Sequence, residues 1–213
     1  MKEKRIVICT GGSLGTWALE PLRSADVLAG ADRGALFLVR HGMAPDIALG
    51  DFDSVSGEEL EEIRSASKAF ISYDPVDKDW TDTELAFRWA LEQGPSEIVL
   101  LGALGTRLDH SLANIHLLRI GLKQGVSCTI IDAHNQVTLI NRGLTVRKGR
   151  FTHVSLLPLS LEVTGIDLEG FQYPLHHAAL TIGQSLGISN VLLAEEGTIR
   201  LKSGELLVIQ SVD

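Results

Sequence analysis

Apolar residues in the first 135 positions fall in short runs separated by longer amphipathic stretches. The runs "RIVIC", "ADVLAGA", "DIALG", "EIVLLGAL" and "SCTIID" are rich in β-branched residues and too short for helices, which predicts buried strands. Between them lie helix signals. Ser56 and Glu59 have capping-box spacing before "LEEIRSASK", and Thr81 and Glu84 repeat it before "LAFRWALEQG". In the second stretch Leu85 and Trp89 share a face with Ala86 and Ala90, and Gly94-Pro95 closes it. A third helix is expected from about Asp109 to Lys123, its period set by Leu112, Ile115 and Leu118.

This alternation predicts an α/β amino-terminal domain over residues 1–135, with a mostly parallel, Rossmann-like sheet covered by helices on both faces. After Asn135 the pattern switches. "QVTLI", "LTVRK", "FTHVSLLPL", "LEVTGI", "AALTI", "VLLA", "TIRLK" and "ELLVIQ" read as strands, broken by Gly, Pro, Asn and Glu-Gly turns. No helical period interrupts them, so residues 136–213 are expected to form an all-β carboxy-terminal sandwich. A unit this small is expected to pack against something else to complete its core.

Composition narrows the class. Hydrophobic residues make up 45% and charged residues 22% of the chain, the balance of a globular protein. No apolar run reaches the ~20 residues of a membrane span. The start, "MKEKRIVICTGG", is too soon broken for a signal peptide, so a cytoplasmic location is expected. Cys9 and Cys128 sit in apolar runs outside any CxxC pair and are expected to be buried thiols. A net charge of −8 argues against a nucleic-acid surface. The charge is uneven: 20 acidic and 13 basic residues precede position 136, and 7 acidic and 6 basic follow. Concentrated acid in short clusters points to a bound cation.

Those clusters follow strands. Asp32 in "ADRG" follows "DVLAG", "GDFDS" follows "DIAL", "DKDWTDTE" follows "AFISYDPV", and "GALGTRLDH" follows "EIVLL". In open parallel sheets ligands bind beyond the carboxyl ends of the strands. Asp51 and Asp53 share a face of an extended chain, and Asp77, Asp79 and Asp82 would converge on the same rim with Arg107 and Asp109. That many carboxylates are hard to hold without a divalent cation, and Mg²⁺ with substrate phosphates is the expected use. Gly102 and Gly105 allow close backbone approach to phosphates, and Arg107 can fork onto them. "TGGSLGT" near the start fails the GxGxxG spacing and reads as a plain strand–helix turn at least as well. His176 and His177, adjacent on a strand, face opposite ways and read as structural or surface residues.

Taken in order, "PDIALGDFDSV", "DKDWTDTELA", "GALGTRLDH", "GFQYPL" and "GISN" resemble the thiamine pyrophosphokinases of the bacterial type, from about Asp32 to Asn190. Arg33 and Thr106 depart from glycines frequent in that family. The resemblance implies an α/β domain, a β-sandwich, and a homodimer with active sites between subunits. It implies transfer of the β,γ-pyrophosphoryl group of ATP to the thiamine hydroxyl, releasing AMP. By the same resemblance Asp51, Asp53 and Asp82 hold magnesium, directly or through water. Asp79 orients a metal-bound water or accepts the hydroxyl proton. Asp32, Asp53, Gly102, Gly105, Arg107, Asp109 and His110 bind ATP, with Arg107 on phosphate, and an orienting role for His110 is as open as a catalytic one. Tyr173 offers an aromatic face to the thiamine cation, and Ser189 and Asn190 offer hydrogen bonds to its pyrimidine. The acidic motifs alone would equally serve another metal-dependent phospho- or nucleotidyl-transferase, a phosphohydrolase, or a non-catalytic nucleotide-sensing module. The "GFQYPL" and "GISN" elements discriminate among them.

Overall fold

The computed structural model describes residues 3–73 and 79–213. They divide into two compact units, Met1–Ala133 and His134–Asp213.

The first unit is built on six strands: β1 (Arg5–Cys9), β2 (Val27–Ala31), β3 (Ile47–Gly50), β4 (Phe70–Ser72), β5 (Glu97–Leu101) and β6 (Ser127–Ile131). They lie in the order β4-β3-β2-β1-β5-β6, and every one of these pairings is parallel. Helices α1 (Leu19–Arg23), α2 (Arg33–Arg40), α3 (Gly57–Ala66), α4 (Asp82–Glu92) and α5 (Leu108–Lys123) connect them. Strand alternation sorts the core. Val7, Cys9, Val99 and Leu101 pack with Ala18, Leu22 and Leu38 from the segments around α1 and α2. Helix α4 crosses β1, β2 and β3 and also meets α5; its Phe87 is wholly buried.

The strand runs and the three expected helices form where the sequence placed them. The capping box at Ser56 is reciprocal: Glu59 N–H donates to Ser56 Oγ at 3.3 Å, and Ser56 N–H donates to Glu59 Oε2 at 2.9 Å. Thr81 caps α4 by accepting from Glu84 N–H at 3.2 Å. Three helices carry no such cap, and of these only α5, 16 residues long, is expected from its period. Helix α1 is five residues long, and α2 begins at Arg33 behind Asp32, whose side chain makes no cap hydrogen bond. "ADRG" is therefore a strand end followed at once by a helix, where the sequence showed only a polar cluster.

The second unit holds β7 (Asn135–Ile140), β8 (Leu144–Arg147), β9 (His153–Pro158), β10 (Glu162–Glu169), β11 (Leu175–Thr181), β12 (Glu196–Arg200) and β13 (Leu206–Ser211). β13 pairs antiparallel with β7 and β9, and β10 and β12 pair antiparallel within the order β11-β10-β12-β8. Both strand groups supply one core, with Val154, Leu156 and Val208 from the first and Val163, Leu180 and Ile199 from the second. "VLLA", expected as a strand, is instead an irregular segment tied by isolated bridges at Asn190 and Leu192. Its apolar residues dock one by one, and Leu193 is exposed.

The tightest helix–strand contact lies at the start of α2. A Cβ on Gly34 would collide with the Cys9 carbonyl at the end of β1. Gly34→Ala should therefore cost ~1–3 kcal/mol through overpacking, read as a lower urea midpoint; an unchanged midpoint would mean that α2 does not rest on β1.

Candidate functional site

The carboxyl ends of β1, β2, β3 and β5 open onto one edge of the first unit, and the loops leaving them carry its polar chemistry. Thr10 closes β1 onto β5: its N–H donates to the Leu101 carbonyl at 2.9 Å and its hydroxyl to the same oxygen at 3.2 Å. Gly102, at φ +73, turns the chain beyond β5 in a backbone conformation that side chains rarely adopt. A Cβ on Gly12 would strike the Gly102 carbonyl, so the two loops touch backbone to backbone.

Between these loops lies a cavity of about 480 Å³. Gly102, Gly105, Arg107 and His110 line one part of it, and Asp32 and Asp82 line another. Helix α5 fixes the glycine loop from beneath. Asn114 Nδ2 donates to the Ala103 carbonyl at 2.7 Å, and Ser111 Oγ accepts from Gly105 N–H at 3.1 Å. Both side chains are buried. The sequence reading missed these two residues. Their spacing of three on the inward face of a predicted helix was the available signal.

Asp32, Asp51 and Asp53 each offer a carboxylate oxygen within 4.8 Å of the others. Backbone amides hold this cluster together. Phe52 N–H donates to Asp32 Oδ1 at 3.0 Å, Asp51 N–H to Asp82 Oδ1 at 3.2 Å, and Asp53 N–H to Asp51 Oδ1 at 3.2 Å. Gly50 makes room, since a Cβ there would run into the Asp32 carboxylate. Asp32 and Phe52 both adopt positive φ, 48° and 57°, conformations unfavourable for non-glycine residues. Phe52 is anchored in this state by burial and by stacking on Phe70, with ring centroids 4.8 Å apart.

Burial pushes the Asp32 carboxyl up to about 7; the Asp82 charge adds to the rise, the Phe52 amide opposes it, and Asp51 adds further. Hard carboxylate oxygens crowded this closely form a donor set suited to a divalent cation such as Mg²⁺. The structure thus brings Asp32 beside Asp51 and Asp53, and sets Asp82 against the Asp51 amide. Asp79 is exposed beside Trp80 and does not line the cavity. Asp77 lies outside the described residues.

Arg107 and Asp109 form an exposed fork, with Nη2 on Oδ2 at 2.6 Å and Nε on Oδ1 at 3.3 Å. This pairing holds the Asp109 carboxyl below the usual carboxylate range, with the His110 amide contributing.

In the second unit Tyr173 is 59% exposed and Asn190 only 6%. The Asn190 carboxamide grips the Tyr173 backbone. Its Oδ1 accepts from Tyr173 N–H at 3.0 Å and Val191 N–H at 2.9 Å, and its Nδ2 donates to the Tyr173 carbonyl at 2.7 Å. Ser189 is exposed at φ 59, and its N–H donates to Ser155 Oγ at 3.0 Å. His177 also has positive φ, and its ring faces Asp167 at 3.4 Å on the surface.

Two family models match the chain: "Thiamin pyrophosphokinase, catalytic domain" over residues 19–130 and "Thiamin pyrophosphokinase, vitamin B1 binding domain" over residues 143–206. The thiamine pyrophosphokinase of Bacillus subtilis is 37% identical over 186 residues, 86% of each chain. A crystal structure of thiamine pyrophosphokinase from Bacillus subtilis superposes with a TM-score of 0.90 at 33% identity, covering 99% of this chain and 100% of that one. Yeast thiamin pyrophosphokinase shares the fold at 14% identity, with a TM-score of 0.81 over 100% of this chain and 87% of that one.

The Asp32 environment has a pH signature. In an unfolded chain this carboxyl titrates near 3.8, against about 7 in the folded chain. The folded state therefore binds the extra proton between those values, and the Asp32 contribution to stability falls as pH rises through 7. With a chelator present, wild type should lose stability relative to Asp32→Asn between pH 4 and 8. Parallel stability–pH curves for the two proteins would show that Asp32 is not crowded by its neighbours.

Proposed function

The chain belongs to the thiamin pyrophosphokinase family and is an enzyme of thiamine diphosphate synthesis; from that premise we propose how its own residues perform the transfer. The acceptor is the hydroxyl of thiamine and the donor is ATP. The hydroxyl oxygen attacks the β-phosphorus, the bond from that phosphorus to the α,β-bridging oxygen breaks, the hydroxyl proton is lost, and AMP leaves. Membership selects this reaction over the phosphohydrolase and nucleotide-sensing alternatives.

The observation that carries the assignment of residues is the carboxylate cluster beside a glycine-walled cavity. In this reading ATP occupies the cavity, with its phosphates over Gly102 and Gly105 and on Arg107, while Asp109 and His110 contact the nucleotide. Asp51 and Asp53 hold magnesium, with Asp32 and Asp82 beside them as direct or water-bridged ligands. Mg²⁺ held by these residues would neutralise phosphate charge and align the transferred group. Phosphoryl-type transfer depends on such positioning and charge stabilisation more than on covalent help. Asp51 and Asp53 thus share a face because they share a cation. The Arg107 fork rests on Asp109, so a triphosphate competes with that carboxylate or uses the remaining guanidinium donors. Asp79 orients a water or takes the hydroxyl proton.

Thiamine is proposed to lie against Tyr173, whose exposed ring suits a flat cation, with Ser189 and Asn190 at the pyrimidine. Asn190 can offer the Nδ2 hydrogen that does not reach the Tyr173 carbonyl, so it orients the aromatic face as well as meeting the substrate. A homodimer with active sites between subunits agrees with the apolar side chains exposed on the second unit, among them Leu161, Ile182, Leu186 and Leu193. Cytoplasmic location and the absence of nucleic-acid or membrane partners complete the proposal; no helix among the described residues is long and apolar enough to cross a membrane.

Asp51→Asn and Asp53→Asn remove charge with little change of shape. Each should lower turnover by orders of magnitude and raise the Mg²⁺ concentration needed for half activity, with circular dichroism unchanged. Normal turnover at limiting Mg²⁺ would return the pair to a solvated turn.

Tyr173→Ala removes a stacking face worth ~1–2 kcal/mol, so the KM for thiamine should rise roughly 5- to 30-fold while the KM for ATP stays put. At thiamine concentrations well below that raised KM, where Tyr173→Ala chains turn over roughly 5- to 30-fold more slowly, mixing them with Asp51→Asn chains should restore one complete site of normal KM per heterodimer. Heterodimers that form but regain no activity would show that each subunit builds its own site.

A further inference from the structure

The loop "TGGSLG" that follows β1 borders the nucleotide cavity. From Gly11 to Leu14 it also forms a wall of a second cavity of about 350 Å³, within the size range of small-ligand sites. Helix α2 and the residue that follows it supply Arg33, Arg40 and His41 to the lining. Among the described residues no acidic side chain lines this cavity, in a chain of net charge −8. Gly11 is exposed, and a Cβ there would meet nothing within 4 Å, so a ligand can approach its backbone.

Two of the three basic groups are oriented by bonds behind them. Arg40 Nη2 donates to Glu59 Oε1 at 2.8 Å, and the capping box at the start of α3 fixes that carboxylate through its other oxygen. Glu62 lies 3.7 Å from the same nitrogen. The remaining Arg40 donors, on Nη1 and Nε, are left for a ligand. His41 Nδ1 donates to the Phe37 carbonyl at 2.8 Å, and its Nε2 becomes a donor for an anion when the ring carries its second proton. The His41 ring rests 4.1 Å from the Phe37 ring. Arg33 is exposed and forms no ion pair among the described residues.

We propose that this groove is a second anion site, taking a diphosphate group between the Gly11–Leu14 loop and helix α2. Guanidinium forks match phosphate oxygens in geometry as well as charge. Two arginines and an imidazole around an open glycine backbone suit adjacent phosphates better than a single carboxylate. The diphosphate group comes either from the reaction product or from a second nucleotide.

The test is calorimetric titration of inorganic diphosphate into the full chain with EDTA present, where the uncompensated carboxylate cluster disfavours anions in the nucleotide cavity. Arg33→Ala and Arg40→Gln should each raise the Kd roughly tenfold, the loss expected for one charge-assisted contact, and Arg107→Ala should leave it unchanged. Displacement of the probe by thiamine diphosphate alone identifies the product as the occupant; displacement by ADP alone identifies a nucleotide. A Kd that follows Arg107→Ala and ignores both α2 variants overturns the site, as does displacement by neither compound. Turnover of ATP and thiamine by the wild-type chain, measured alongside, tests the reading above separately from the groove.

Discussion

The first unit is organised around the repulsion among four aspartates and the amides that restrain it. Asp32 follows β2, Asp51 and Asp53 follow β3, and Asp82 opens α4. Two backbone-to-carboxylate hydrogen bonds tie these separate elements together at one edge, and a third, from Asp53 N–H to Asp51, closes the loop after β3. Each carboxylate that accepts an amide is stabilised in its charged form, while each neighbouring carboxylate opposes that charge. In Asp32 the balance tips, and its carboxyl rises to about 7 because burial outweighs the single amide of Phe52. A divalent cation would resolve the same conflict directly.

Local backbone strain is the cost of that arrangement. Asp32 and Phe52 occupy positive φ without being glycines, and Gly50, at φ +149, gives up its side chain so that the Asp32 carboxylate can pass. Each departure is held by something outside the loop: the Phe52 ring by Phe70, the Asp32 carboxylate by the Phe52 amide, the glycine loop beyond β5 by Ser111 and Asn114. Strained conformations persist when the surroundings over-determine them. The second unit uses the same device on a smaller scale, where one buried carboxamide fixes the backbone that presents an exposed tyrosine.

The sequence by itself determined the strand runs of the first 135 residues, the two capped helices, α5, and the switch to antiparallel strands. Those features depend on contacts between near neighbours, whose spacing a linear pattern records. It also carried the family, because "GDFDS", "DKDWTD", "GTRLDH" and "GISN" keep fixed order along the chain. Helix α2 escaped it: without a side-chain cap, and at eight residues against the 16 of α5, it shows too little of its period. "VLLA" read as a strand because apolar content alone does not say whether a ladder partner exists. Tertiary structure alone decided that Asp32 stands with Asp51 and Asp53, that Ser111 and Asn114 support the glycine loop, and that Asn190 is spent largely on Tyr173. In each case the partners are brought together by parallel crossovers or by isolated bridges, and the free energy of such contacts depends on distances that no local spacing encodes.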